Sequence, residues 1–205
     1  MSHNPPDVID QLVGTLPGSP LDQVRQHRPT ARANAQQSYL ALFAPAEPGP
    51  FSLTDRFALA AYVAGLHRQP AIADFYADGL ALAPTIRQVV DSGLTEGPYG
   101  HFPAGPLSSE DEDGLDFRLA GPERAALGQA LAAAFEHAHL LVFHPRDARP
   151  AHLQALLDAG WSTTGIVTLS QLVAFLSFQI RVVVGLRALA ASPAPAPSNT
   201  AEASA

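Results

Sequence analysis

Cysteine is absent from this 205-residue chain, which excludes disulfides, thiolate catalysis and thiolate metal sites. Lysine is absent as well: the 12 basic residues are all arginine, set against 19 acidic ones, for a formal net charge of −7. With no basic cluster, the chain has no electrostatic footprint for nucleic acid. Beside abundant Ala, Pro and Gly, the arginine-only usage reads as a high-GC coding bias before it reads as function. The opening MSHNPPDVIDQL lacks a basic segment followed by an apolar run, so a cytoplasmic protein is expected. No alternating apolar run stands out as a strand, and the expected fold class is all-α.

What the sequence does contain is a succession of helix signals, with one domain the default for a core of this size. Residues 1–50 carry three short helical patterns, at 7–13, 21–27 and 29–43, closed by the linker APAEPGP. They predict a helical arm lying on a main domain at 51–190. There, Ser52 or Thr54 caps TDRFALAAYVAGLHR, with Asp55 in the first turn. Pro70 opens PAIADFYADGLAL, and Pro84 starts a third helix that Gly93 ends. Pro122 opens a helix expected to continue through ERAALGQALAAAFEHAHLLVF, and AHLQALLDA follows. The insert 97–121 is irregular; Tyr99, His101 and Phe102 should be ordered by burial, and the acidic stretch 110–113 solvated and mobile. The Pro/Ala/Ser-rich tail, 191–205, is expected to be disordered.

The longest pattern begins at Ser162 and Thr163, good N-caps for a helix running to about Ala190. Leu169, Val173, Leu176, Ile180 and Val183 form a wide apolar arc; Val167, Ala174, Phe178 and Gly185 form a narrow one. Ser170, Ser177 and Arg181 make one polar stripe between them, and Thr164, Thr168, Gln171 and Gln179 the other. A helix with two apolar arcs asks for neighbours on two sides, from its own chain or from a second copy, so a homo-oligomer is expected. Gln171, Gln179 and Arg181 make bilayer insertion expensive, and the helix reads as core, with no membrane partner. Trp161 should pack under it, with its indole N–H on a carbonyl.

The order capped helix, tight joint, second helix, followed by HLLVFHPRD and LQALLDAGWSTTGIVTLSQLVAFLSFQIRVVVGL, resembles the carboxymuconolactone decarboxylase and alkylhydroperoxidase-D superfamily. The C-terminal stretch, with its Ala-Gly-Trp joint and the run Phe175, Phe178, Arg181, Gly185, Leu186, looks like the peroxidase-related branch. The resemblance spans about residues 50–190 and implies an orthogonal helical bundle that assembles into dimers, trimers or hexamers. The family's redox motif is a glutamate followed, about twelve residues on, by Cys-x-x-Cys-x-x-x-His, in which one thiolate is activated, a second resolves it and a histidine relays the proton. Counting from Asp55 as the acid, the cysteines fall on His67 and Pro70 and the histidine on Asp74. Both thiols are missing, so thiol-dependent peroxidase chemistry is not expected.

Two kinds of function follow from the resemblance. One is a non-redox binding or partner subunit, associating with itself or with a cysteine-containing relative. The other is a cysteine-independent acid/base enzyme, decarboxylase- or isomerase-like, acting on a small anionic substrate. The candidate catalytic residues are Asp55, His67 and Asp74, and the candidate ligand-binding residues Arg68, Arg181 and His137. Each also has a structural role open to it: Asp55 as a helix-start acid, His67 and Arg68 as a helix C-terminus, and Asp74 in the next helix's first turn. Arg181, in an apolar helix, should pair with a carboxylate or with carbonyls. No metal and no cofactor is expected: His137 and His139 point about 200° apart on a helix, and His144 lies beyond the helix end. A partly buried, hydrogen-bonded His137 or His139 is the expectation.

Overall fold

The computed structural model describes residues 6–192 and is all-α, with ten α-helices among them. The arm holds α1 (Val8–Val13), α2 (Pro20–Gln26) and α3 (Pro29–Phe43); the body holds α4 (Leu53–Leu66), α5 (Pro70–Ala77), α6 (Ala83–Gly93), α7 (Gly121–Leu127), α8 (Gln129–Phe143), α9 (Pro150–Asp158) and α10 (Thr163–Ala191). The tail from 193 onward lies outside the described residues.

The innermost helix is α4. Every residue from Ala58 to Ala64 is at most 1% exposed, because α5, α6, α8 and α10 all pack on it. Its alanines let these neighbours come close, and Gly65 carries that furthest: a Cβ there would sit 2.5 Å from Cγ2 of Val90 on α6. Ser52 caps α4, its hydroxyl accepting from the Asp55 N–H at 3.1 Å and donating to the Asp55 carboxylate at 2.7 Å. Arg56 is 5% exposed, and its guanidinium donates to the carbonyls of Phe51, Leu42 and Pro48 at 3.0, 2.6 and 2.6 Å. This buried cation thereby gathers the α3–α4 linker onto the head of α4, satisfying its donors without a carboxylate.

The wide arc of α10 is core, with Leu169, Leu176 and Val183 at 0% exposure and Val173 and Ile180 at 2%. The narrow arc is open: Val167 is 52% and Phe178 47% exposed, and Ala174 and Gly185 lie in the same exposed face. Gln179 departs from the predicted polar stripe. It is fully buried and accepts a hydrogen bond from the Tyr76 hydroxyl at 2.5 Å. Eight residues past Gln171, it has turned about 80° round the helix, enough to bring it under α5. By length and composition α10 could cross a membrane; here its wide arc is spent on the core. Trp161 meets Phe51 edge-on at 4.8 Å and donates to the Ala130 carbonyl at 2.8 Å, as its position at the joint suggested.

The single helix expected from residue 122 to 143 is broken. Gly128, at φ 78°, separates α7 from α8, whose axes differ by 115°. A left-handed backbone conformation ends a helix at little cost only when the residue is glycine. The arm lies on the body through Val8, Ile9 and Leu12 of α1, all buried, and through Arg187 of α10, which donates to the Leu12 carbonyl at 2.6 Å. Its helices are joined to one another by charge: Arg25 bridges Asp7 (2.7 Å) and Asp10, and Arg32 bridges Asp10 (2.5 Å) and Asp22 (2.8 Å).

In the insert, Tyr99 is buried against His144, with ring centroids 4.8 Å apart, and donates to the Leu115 carbonyl at 2.6 Å. Phe102 is half-buried under Arg146, whereas His101 is exposed. The acidic stretch is solvent-exposed as expected but hydrogen-bonded back onto the aromatic half. Gly100 and Glu112 form a β-bridge, and Asp111 accepts from the Phe102 N–H at 2.7 Å.

Candidate functional site

The end of α4 carries the joint to α5. His67 is the C-cap of α4, and Arg68 follows at φ 57°, the one positive-φ residue other than glycine among the described residues. Its N–H bonds to the Gly65 carbonyl at 2.8 Å and the next N–H to Ala64 at 3.0 Å, a helix-ending turn that normally selects glycine. Pro70 then opens α5 with φ already set for a helix. The tight joint is therefore present, with arginine in its strained position.

Between this joint, α5 and α6 lies a groove of about 440 Å³. Its floor is made of small and branched apolar residues, among them Ala61, Gly65, Ala73, Ile86 and Val90; its rim is Arg68, Asp74, Arg87 and Asp91, all four exposed. Arg68 and Asp74 thus meet in one groove. His67 does not line it. Its ring is turned to α10, with Nε2 3.5 Å from Oγ of Ser177, and burial, with Arg181 nearby, lowers its pKa so that the imidazole is neutral at pH 7.

The three candidate catalytic residues do not converge. Asp55 and His67 stand at opposite ends of α4, twelve residues or about 18 Å apart, and Asp74 faces the groove instead. Arg181 is exposed and bonds only the Ser177 carbonyl of its own helix, at 3.1 Å. Arg87 and Asp91 were not singled out by sequence. The signal for them lies in α6, where Ile86, Val89 and Val90 alternate at helical spacing with Arg87 and Asp91.

His137 belongs to a second place. It is 6% exposed, and neither ring nitrogen has a hydrogen-bond partner; of the two histidines expected to be satisfied, only His139 is, with Nε2 2.9 Å from the Gly93 carbonyl. Nor do His137 and His139 part company: both line one small cavity, together with His144, His152, Asp116 and Glu136. The cavity wraps the flank of α8. His139 meets Phe117 on one side, at 4.7 Å, while α9 contributes His152 and Leu156 on the other, so residues about 200° apart both reach its wall. Burial pushes both pKa values down to about 4, with His152 adding to the effect at His137. At His139 the hydrogen bond to Gly93 opposes the shift and His144 adds to it. Among the described residues no three His, Asp or Glu side chains are placed to hold a metal ion.

No protein-family model matches this chain, and neither a curated protein nor a solved structure matches it.

Proposed function

We propose that this chain is a non-redox member of the alkylhydroperoxidase-D and carboxymuconolactone decarboxylase superfamily, a cytoplasmic homo-oligomer that binds a small, mainly apolar ligand without thiol chemistry. The observation that carries this reading is the groove at the α4–α5 joint. Pro70, one of the two motif positions for a thiol, lines it; the floor is apolar, and Arg68 and Arg87 on the rim suit an anionic group on the ligand. An acid/base enzyme at the same joint has less support, because the His67 ring meets Ser177 rather than Asp55 or Asp74.

Titration calorimetry with octanoate tests the reading: binding is expected for the native chain and is expected to be lost in Ala73→Trp, which fills the groove. Equal binding by both overturns it. So does reduction of tert-butyl hydroperoxide by the pure protein that disappears in His67→Ala. The exposed arc of α10 supports self-association, and Phe178→Asp should lower the mass measured by light scattering; a native chain of monomer mass removes the oligomer from the reading.

A further inference from the structure

The histidine cavity beside α8 has no part in the groove reading, and it has the composition of a site. Its inner chamber, about 40 Å³, lies beside a larger cavity of about 230 Å³ bounded by Tyr99, His101, Asp147 and Arg149; Asp116, His144 and His152 line both. Hydrogen bonds set the tautomers. His139 Nε2 lies 2.9 Å from the Gly93 carbonyl; a carbonyl only accepts, so Nε2 carries the proton and Nδ1, buried and without a partner, keeps its lone pair. His152 Nδ1 accepts the Arg149 backbone N–H at 3.1 Å, which leaves a proton on Nε2.

His144 is the third ring and the best held. Its Nδ1 is 3.2 Å from Oδ2 of Asp147, and Tyr99 stacks on it at 4.8 Å and 17°. Burial alone would raise the Asp147 pKa, but hydrogen bonds from the His101 backbone N–H, at 3.0 Å, and from His144 hold it below the usual value. It is therefore a carboxylate at neutral pH. A carboxylate on Nδ1 fixes the proton there and leaves the lone pair on Nε2, the arrangement in which an imidazole works as a base and its cation is stabilised when it forms.

We propose that His144, positioned by Asp147, is a general base for a small carbon acid bound in the outer cavity. Nε2 takes the proton as the C–H bond breaks. The electron pair stays on the substrate as an anion in a cavity lined by Arg149 and His152, and the imidazolium is held by Asp147. Return of the proton to the same or a neighbouring carbon completes an isomerisation, with no oxidant or co-reactant required.

The test uses the full chain and 5-nitrobenzisoxazole, whose C3–H is lost to a base as its N–O bond opens to a coloured cyanophenolate. The native chain should exceed an equal concentration of free imidazole by about 100-fold. His144→Gln should lose that excess. Asp147→Asn should reduce the rate about 10-fold and move its pH profile to lower pH, a shift that a merely structural role for Asp147 does not produce. Nitrogen-15 NMR of the native chain should show the His144 proton on Nδ1, which keeps the proposal open to refutation should a variant fail to fold. A native rate no greater than that of imidazole, full activity in His144→Gln, an unshifted profile in Asp147→Asn, or a proton on Nε2 of His144 each overturns it.

Discussion

The groove beneath α6 and the cavity beside α8 distribute polar groups in opposite ways. The groove keeps its charges on the rim, where Arg68, Asp74, Arg87 and Asp91 are solvated, and its floor is made of alanine, glycine, isoleucine and valine. The cavity takes its polar groups inside: His137, His139 and His144 are each at most 8% exposed, and two of the three have unpartnered ring nitrogens. A solvated charge is free to meet a ligand but costs almost nothing to remove. A buried imidazole is part of the packing, and the hydrogen bonds around it decide its tautomer. Binding by shape suits the first place and proton transfer suits the second.

The largest effect that could break this contrast is in the cavity. His139→Ala removes a ring packed between Phe117 and Phe143, each at 4.7 Å, and leaves the Gly93 carbonyl unpaired, so urea unfolding should show a loss of about 3 kcal/mol. Acid provides the next test. The pKa values of His137 and His139 are about 4 in the folded chain, against an ordinary 6.5; as pH falls, the unfolded chain therefore binds protons first. The stability these groups permit is complete above pH 6.5 and is lost as pH falls through 4. Thermal unfolding should show a melting temperature that declines over this window, and a shallower decline in His137→Phe.

On the groove side, Gly65→Ala should cost about 1 kcal/mol, since the Cβ crowding Val90 is partly offset by alanine's preference for helix; octanoate binding should weaken with it. The smallest effects belong to the rim, where Arg87→Ala and Asp91→Ala should each change stability by less than about 0.5 kcal/mol while Arg87→Ala weakens octanoate binding. Rim substitutions as costly as His139→Ala would show that the groove's charges are structural and the contrast unfounded.

Much of the local architecture was legible in the sequence. The Ser52 and Ser162 caps, the proline opening α5, the wide arc of α10 and the Trp161 hydrogen bond depend on residues close together in the chain or on one helical face. The break at Gly128 was not legible, because a glycine inside a helical pattern is often tolerated and only the packing of α7 shows that this one turns left-handed. Arg56 was missed because its partners are three backbone carbonyls, which have no residue signature. Of the candidate site residues, Arg68 and Asp74 share the groove, His67 and Arg181 lie on the α10 side of the joint, and Asp55 and His137 are elsewhere. The histidine cavity was hidden for another reason: a helical wheel separates His137 from His139, and only the insert and α9, folded against opposite sides of α8, make a wall that contains both.

By itself the sequence determined that this protein has no thiol to react, that it is built of helices, and where most of those helices begin, since these follow from composition and from contacts within a few residues. Only the tertiary structure decided which polar groups are taken out of water. Burial and hydrogen-bond partners come from segments far apart in the chain, as with Gln179 and Tyr76, or His139 and Gly93, and those partners determine whether a given histidine is an inert part of the packing or a base.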